Sequence, residues 1–318
     1  MSQRTTVLVL SVDEAPLLEH CLPAAVAQEG ADVLVIDNAC TDATRTVAER
    51  CGARVLGLRA RVSYAAAINV GILASQGDAI LLLNADCVLG DGFLAAARAR
   101  LRQRGVGSVA PRLVRATGMA PGDRLDVLDA AGMVVDRRRK NTLVGHNEPA
   151  SRYPRAAEVF GGDGACVLYR REVLVACAVG GEVLDESLQL WASDVDLAWR
   201  ARLLGWRCMY EPRAVAWHVR YYSPTTRSGL PEVHRRLQFR NRLLMMAKND
   251  SWSDVRGDLH RIAFYELLAI GHVLLRERHL LRAYADAVRA LPGARRRRAV
   301  VQAKRVDGRP PFGLRAPR

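Results

Sequence analysis

Polar side chains follow three apolar runs near the start of this 318-residue chain, at points where strands are expected to end. They are Ser11 and Asp13 after the first run, Asp37 and Asn38 after the second, and Asn84 and Asp86 after the fourth. Ligands bind at the carboxyl ends of parallel strands, so we expect these groups to share a cleft. Carboxylate oxygens suit Mg²⁺ or Mn²⁺, which makes Asp86 a candidate metal ligand. Taken alone, each pair fits an ordinary turn equally well.

Another carboxylate, Asp194, stands at the start of a helix predicted over 194–204. Ser193 and Asp196 are three residues apart, as in a capping box, and we interpret both as structural. Asp194 is not needed for that cap, and it shares a helix face with Leu197 and Ala201, which should pack inward. A buried carboxylate is costly without a partner or a role, so Asp194 is a candidate general base. The helix dipole opposes this role, because it stabilises the charged form.

A histidine, His218, ends the apolar run 214–217. Neutral imidazole is a common metal ligand, so His218 is a second candidate for the metal site. A structural histidine with both ring nitrogens hydrogen-bonded explains the same position, and this alternative stays open.

The elements that must position these residues alternate between strand-like and helix-like patterns, which predicts an α/β fold with a doubly wound, mostly parallel sheet. Strands are predicted at 6–12, 32–37, 54–58 and 79–83, and helices at 17–28, 42–51, 63–75 and 92–104. We expect one domain over 1–231 with an irregular, partly mobile insertion at 116–158. A C-terminal helical extension follows over 232–291, and a basic, disordered tail over 292–318.

The chain carries a formal net charge of +14. This surplus fits a solvated basic surface, an anionic membrane or nucleic acid, and the helices at 232–291 fit a membrane contact, a packed cap or an oligomer contact. The seven cysteines form no C-x-x-C pair, so we expect them to be reduced. No signal peptide and no apolar stretch of about 18–20 residues is visible. We therefore expect a cytoplasmic protein with peripheral contact at the inner face of the membrane.

Eight motifs stand in the order found in one family of enzymes. They read V-L-V-L-S-V-D, V-I-D-N-A-C-T-D, N-V-G-I-L-A-S-Q-G-D, L-L-L-N-A-D-C, G-A-C-V-L-Y-R-R, L-D-E-S, S-D-V-D-L-A-W-R-A-R-L-L-G-W and A-V-A-W-H. Over about residues 5–250 the chain resembles the family 2 glycosyltransferases of the GT-A fold, particularly the rhamnosyltransferase-like and galactofuranosyltransferase-like members. Each motif is weak alone, and their shared order carries the resemblance.

The resemblance implies a role for each matching residue. Nucleotide-sugar-binding residues would be Ser11, Asp13, Asp37, Asn38, Asn69, Asn84 and Gly164, metal ligands Asp86 and His218, and the catalytic base Asp194. Asn84 replaces the first Asp of the family's D-x-D, and Ser193 replaces an acid that usually accompanies the base. The loop 61–68 also departs from the family pattern, where Asn and Gly are frequent.

The expected activity is inverting transfer of a sugar, rhamnose among the candidates, from a nucleoside-diphosphate sugar to an acceptor hydroxyl of a lipid-linked or cell-envelope glycan. Mg²⁺ or Mn²⁺ is the expected cofactor, and oligomerisation stays open. A catalytically inactive scaffold is one alternative. A nucleic-acid-binding protein is a weaker one, because acids at three strand ends would repel phosphates. A nicotinamide enzyme would need G-x-G-x-x-G after the first strand, where this chain has no glycine.

Overall fold

The computed structural model describes residues 4–221, 229–306 and 308–314. The strands are Thr5–Ser11 (β1), Ala31–Asp37 (β2), Arg54–Gly57 (β3), Ala79–Asn84 (β4), Cys87–Leu89 (β5), Val106–Ala116 (β6), Arg124–Ala130 (β7), Met133–Val135 (β8), Asn141–Leu143 (β9), Ala157–Val159 (β10), Cys166–Arg170 (β11) and Arg207–His218 (β12). The α-helices are Ala15–Val26 (α1), Thr44–Arg50 (α2), Tyr64–Ala74 (α3), Phe93–Leu101 (α4), Arg171–Cys177 (α5), Ser193–Leu203 (α6), Glu232–Asn249 (α7), Trp252–Val255 (α8), Leu259–Leu275 (α9) and Leu281–Ala303 (α10).

The central sheet has the strand order β10-β12-β6-β11-β4-β1-β2-β3, with β5 paired to β12 and β7 paired to β6. Strands β4, β1, β2 and β3 are parallel, while β11 runs antiparallel to both β4 and β6. The register sets Ser11 opposite Asp37 and Leu10 opposite Asn84. The strand ends predicted to carry polar groups therefore meet at one edge, and the predicted α/β fold is confirmed.

Alternate residues of the inner strands face two separate hydrophobic cores, which is why these strands are apolar throughout. In β1, Val7 and Val9 pack on one side and Leu8 on the other. Helices α1, α2 and α4 cover the first side, and α3, α5 and α6 cover the second. No helix within the described ranges has both the length and the apolarity needed to cross a bilayer.

The segment 116–158, which we predicted to be irregular and partly mobile, contains short regular elements in the structure, and its mobility stays a prediction. It contains β7, the hairpin of β8 and β9, and a core in which Leu128, Val144 and Tyr153 pack against Tyr210. The Gly and Pro residues that suggested irregularity lie between the strands, whereas Asp126 and Asp129 lie within β7. Strands of three residues give too short an apolar pattern to be seen in the sequence.

The tail after Pro292 is also ordered where it is described, which corrects the prediction of disorder over 292–318. Helix α10 continues through Pro292 to Ala303, and Ala294 and Val301 are buried. Within the basic run 295–298, Arg297 pairs with Glu182 at 2.7 Å, while Arg295 and Arg296 are exposed. Further along, the Phe312 ring stacks on Phe160 with centroids 5.8 Å apart.

A buried ion network joins α6 to α7. The Asp196 carboxylate accepts from Arg200 at 2.8 Å and lies 2.8 Å from the Lys248 ammonium, which also binds Asp185. Burial alone would raise the pKa of Asp196, but Lys248 and Arg200 outweigh it and lower that pKa to about 2. The predicted capping box is therefore wrong: Asp196 points into this network, and no described group bonds the Ser193 hydroxyl.

Replacing Lys248 with Met keeps most of the side-chain volume and removes the ammonium between two buried carboxylates. We expect the free energy of unfolding to fall by about 3 kcal/mol or more, because breaking a buried pair leaves uncompensated charge. Urea denaturation measures this. The control is Arg50→Met, which breaks the exposed pair with Glu19 and should cost about 1 kcal/mol or less. Equal losses of unfolding free energy in the two variants would show that the buried network stabilises the fold no more than an exposed ion pair does.

Candidate active site

A cleft of about 630 Å³ opens at the carboxyl edge of β1 and β4. Five of the residues predicted from the sequence line it: Asn84, Asp86, Gly164, Asp194 and His218. Other walls come from the segments 163–165, 190–194 and 218–221. Residues separated by more than a hundred positions in the chain thus share one cavity.

Asp86 and His218 are brought together by a strand pairing. The chain turns back after Asp86 into β5, which pairs antiparallel with the end of β12 and sets His218 opposite Cys87. The His218 Nε2 atom lies 3.3 Å from the Asp86 Oδ1 atom. That carboxylate oxygen is buried and has no hydrogen-bond partner among the described residues. An unsatisfied carboxylate oxygen beside an imidazole nitrogen is a donor set that fits a divalent cation.

The other side of the His218 ring is held by Asp129. The His218 Nδ1 atom lies 2.7 Å from the Asp129 Oδ2 atom, and Arg220 binds the same carboxylate through two nitrogens at 2.6 and 2.9 Å. A carboxylate behind a histidine fixes the ring's orientation and presents Nε2 to the opposite side. The arrangement therefore aims Nε2 at Asp86.

The charges around His218 alternate in sign. Burial alone would lower the pKa of His218, but the hydrogen bond to Asp129 and the nearby carboxylate of Asp86 raise it to about 9. Burial would raise the pKa of Asp129, and bonds from His218 and Arg220 instead hold it well below its usual range. Arg220 also bonds Asp163 at 2.6 Å, which extends the chain of charges across the cleft. A divalent cation bound here would replace the proton on His218.

Asp194 lies at the first turn of α6, facing the cleft. Its carboxylate accepts from the backbone amides of Val195 at 2.8 Å and Gly164 at 3.1 Å. Burial and the nearby charge of Asp163 outweigh those two bonds and raise the pKa of Asp194 to about 6. The helix-dipole effect does not prevent a raised pKa, so Asp194 is a stronger base than an exposed aspartate while remaining ionised at neutral pH.

Gly164 allows the loop to approach Asp194 closely. A Cβ atom at this position would lie 3.3 Å from the Asp194 Cβ and 3.4 Å from its Oδ2, tighter than most side-chain contacts. The glycine thus lets a backbone amide reach the carboxylate. This contact is one that the sequence motif alone did not show.

The other five predicted residues do not line the cleft, and their polar groups bond to neighbouring protein. Ser11 bonds Thr44, Asp13 bonds Arg61 and Thr41, Asp37 accepts from the Cys40 amide, Asn38 bonds the Val62 backbone, and Asn69 bonds the Leu184 backbone. Asn38 uses both ends of its amide, at 3.0 and 2.9 Å, and so anchors the loop 61–63. Asn69 likewise holds the segment 184–186, which makes it a positioning residue in this structure.

Sequence reasoning missed two residues that line the cleft, Glu14 and Arg220, and one that lies behind His218, Asp129. Glu14 follows β1 like Asp13 and lines the cleft, where burial and then the charges of Asp86 and Asp42 raise its pKa to about 7. Arg220 stands only two positions after the candidate ligand His218, and this closeness in the sequence could have indicated that it belongs to the site. Asp129 offered no such signal, because its segment showed no regular pattern.

The loop that leads into α6 is strained. Gln189, Trp191 and Ala192 all have positive φ, at 62°, 69° and 62°, which is uncommon away from glycine. Such strain often marks functional sites. The Trp191 indole nitrogen is buried and lacks a described partner, as does the Ser193 hydroxyl, and both residues line the cleft. The loop therefore offers two hydrogen-bonding groups beside Asp194.

Sequence comparison identifies the family. The model described as "Glycosyltransferase like family 2" matches residues 3–241. Uncharacterized glycosyltransferases of Mycobacterium bovis and Mycobacterium tuberculosis are 32% identical over 154 residues, which cover 43% of this chain and 70% of those proteins. A TPR repeat-containing protein of Synechococcus elongatus is 39% identical over 74 residues, which are 23% of this chain and 18% of that protein. The chain belongs to glycosyltransferase family 2.

Solved structures share the fold. TarS residues 1–349 from S. aureus, in complex with UDP-GlcNAc, has a TM-score of 0.60 at 14% identity, covering 95% of this chain and 88% of that one. The mannosyltransferase PcManGT from Pyrobaculum calidifontis, with GDP-Man and Mn²⁺, has a TM-score of 0.53 at 18% identity, with coverages of 95% and 85%. GalNAc-T7 scores 0.60 at 13% identity, and the match spans 77% of this chain and 48% of GalNAc-T7. At these identities the likeness shows the fold alone, and it confirms the predicted GT-A architecture.

Asp194→Asn should change how stability depends on pH. The Asp194 pKa is about 6 in the folded chain against an ordinary value of 3.8, so the folded state binds this proton more tightly. The unfolding free energy of the wild type, minus that of the variant, should therefore fall as the pH rises from about 4 to about 6 and level off above. Urea denaturation across this window measures the difference. A difference that stays constant or rises with pH would show that the pKa of the Asp194 carboxyl is not raised in the folded chain.

Proposed function

We propose that this chain is an inverting glycosyltransferase that moves a sugar from a nucleoside-diphosphate sugar to an acceptor hydroxyl, with one Mg²⁺ or Mn²⁺. The supporting observation is that one cleft is bordered by a candidate cation site at Asp86 and His218 and by the candidate base Asp194. Membership of glycosyltransferase family 2 supports the same reaction class.

We assign binding of the nucleotide-sugar donor to the strand ends beside the cleft. We propose that Ser11, Asp13, Asp37, Asn38, Asn84 and Gly164 contact the nucleotide sugar, and that Asn69 contributes through the segment 184–186. Relatives by fold carry UDP, UDP-GlcNAc or GDP-Man, which supports a nucleoside diphosphate here. The resemblance to rhamnosyltransferase-like members favours rhamnose as the sugar.

In the proposed mechanism the acceptor oxygen bonds to the anomeric carbon as the bond from that carbon to the diphosphate oxygen breaks. Asp194 takes the acceptor's proton, and its pKa of about 6 keeps it ionised and basic at neutral pH. Asp86 and His218 would hold the divalent cation, whose chemistry is to stabilise negative charge on the leaving diphosphate. Trp191 and Ser193 present hydrogen-bonding groups for sugar hydroxyls.

The acceptor we propose is a lipid-linked or cell-envelope glycan, used in the cytoplasm at the inner face of the membrane. The net charge of +14 supports this choice, because such acceptors are anionic or lie on anionic surfaces. The inactive scaffold remains the competing function, and its motivating feature is Ser193 in place of the usual acid.

Asp194→Asn should lower transfer by about 10²- to 10⁴-fold, the usual contribution of a general base, and leave nucleotide binding intact. The measurement is release of nucleoside diphosphate from the donor, with a bacterial lipid extract as the source of acceptor. Asp126→Asn, at an exposed aspartate in β7, is the control and should keep full activity. Undiminished turnover in Asp194→Asn would end the assignment. Nucleotide binding without any transfer by the wild type would favour the scaffold.

The proposed cation site is tested by thermal shift with uridine, thymidine and guanosine diphosphates, each with and without Mn²⁺. We expect Mn²⁺ to add to the stabilisation by the preferred nucleotide, because Asp86 and His218 would hold the cation and its positive charge would favour the diphosphate. Asp86→Asn should lose this added shift, and chelation should stop transfer by the wild type. Full activity in excess chelator would exclude a cation from the reaction.

A further inference from the structure

Helix α9 exposes a continuous apolar stripe. Leu275 is 79% exposed and Leu267 is 66% exposed, and neither is an isolated surface residue. The same helix also exposes Leu259, Phe264, Leu268, Ile270 and Leu274. Positions 264, 267, 268, 271, 274 and 275 share one face of a helix of 3.6 residues per turn, and no charged residue falls among them. Scattered exposed leucines are ordinary, but a contiguous apolar face marks an interaction surface.

The stripe lies on a helix that is itself firmly held. On the opposite side of α9, Ile262 and Val273 are buried, and Glu266 pairs with Arg242 from α7. The Arg242 guanidinium also lies 4.7 Å from the centre of the Tyr265 ring. No residue of α9 lines the cleft, so the stripe is separate from the proposed active site.

Basic residues flank the stripe at both ends. Arg256 precedes the helix and Arg261 lies in its first turn. Three more arginines follow the helix: Arg276, Arg278 and Arg282. All five side chains are exposed. The neighbouring acids are turned inward: Asp258 is fully buried against Arg137 and Arg139, and Glu277 is buried against Arg235. Residues 251–304 carry eleven Arg or Lys against five Asp or Glu. The surface around the stripe is therefore positive.

We propose that α9 docks this protein on an anionic lipid surface, lying flat with its apolar stripe among the acyl chains and its flanking arginines on the headgroups. An amphipathic helix with basic flanks binds in this way. Its 17 residues rise about 26 Å, less than the roughly 30 Å needed to cross the hydrocarbon. Trp252, 69% exposed just before α9, is of the type that favours the membrane interface.

Charge argues against a second copy of this chain as the occupant. A two-fold dimer through the stripe would set two α9 helices parallel, so that equivalent ends meet, or antiparallel, so that each N-terminal end meets the other's C-terminal end. Both ends are basic, and in the antiparallel case Arg261 would approach Arg276 and Arg278 of the second copy. Like charges across an interface cost free energy, whereas anionic headgroups complement both ends at once.

The test is cosedimentation of the full chain at low salt with vesicles of phosphatidylglycerol and phosphatidylcholine in equal parts, and with phosphatidylcholine alone. The wild type should bind the anionic vesicles more tightly. The double variant Leu267→Glu/Leu275→Glu should bind them at least about tenfold more weakly, since each leucine loses its apolar contact with lipid. Leu73→Glu, at an 87% exposed leucine of α3, is the matched control and should bind like the wild type. Arg276→Gln/Arg278→Gln should weaken binding and flatten its salt dependence.

Unchanged binding of the α9 leucine variant, or equal binding of the wild type to both vesicles, would overturn the proposal. The proposal would also fail if light scattering showed that the wild type is a dimer and that the leucine variant is a monomer, and if the wild type did not bind vesicles. Circular dichroism checks that the variants are folded. The nucleotide thermal shift should be the same in every variant, so failure of docking and failure of the proposed transfer activity give different results.

Discussion

Charge that is buried at the edge of the sheet has to be paired, and this constraint organises the cleft. Asp86, His218, Asp129, Arg220 and Asp163 form a chain of alternating sign, each in contact with the next. Its members come from four different stretches of the sequence. Because an unpaired charge in this setting costs several kcal/mol, the chain fixes the relative positions of those stretches. It also connects the candidate cation site with the candidate base, since Asp163 contributes to the raised pKa of Asp194.

The C-terminal helices support the cleft from behind. Lys248 of α7 holds Asp196, which lies two residues from Asp194 on the same helix. Arg139, fully buried, binds both Asp250 and Asp258 and so ties the segment after β8 to the start of α9. Much of the positive charge that suggests a solvated basic surface is used in such internal pairs. Five exposed arginines, Arg256, Arg261, Arg276, Arg278 and Arg282, flank the apolar stripe of α9, where the proposed lipid surface would meet them.

The predicted site residues fall into two groups, those that line the cleft and those at the strand ends beside it. Asp86, His218 and Asp194 line the cavity. Asp37, Asn38 and Asp13 are tied to nearby loops by hydrogen bonds. In an inverting transferase, the first group would meet the diphosphate and the acceptor, and the second would shape the nucleotide end. Because such hydrogen bonds already hold the loops in place, the loops would lose less conformational entropy when a nucleotide binds.

The sequence by itself determined the alternation of strands and helices in the first hundred residues and the polar groups at the strand ends. Local apolar periodicity encodes both, and the motif order identified the family. The sequence did not indicate the strands within 116–158, the helix through Pro292 or the ion pairs of Asp196, because three-residue strands and long-range ion pairs leave no periodic signal and a proline usually ends a helix. Only the tertiary structure decided that Asp129 orients His218, that Asn69 supports a loop, and that α9 leaves an apolar stripe exposed. Each of these depends on which distant partner a side chain meets, and spacing along the chain does not specify that partner.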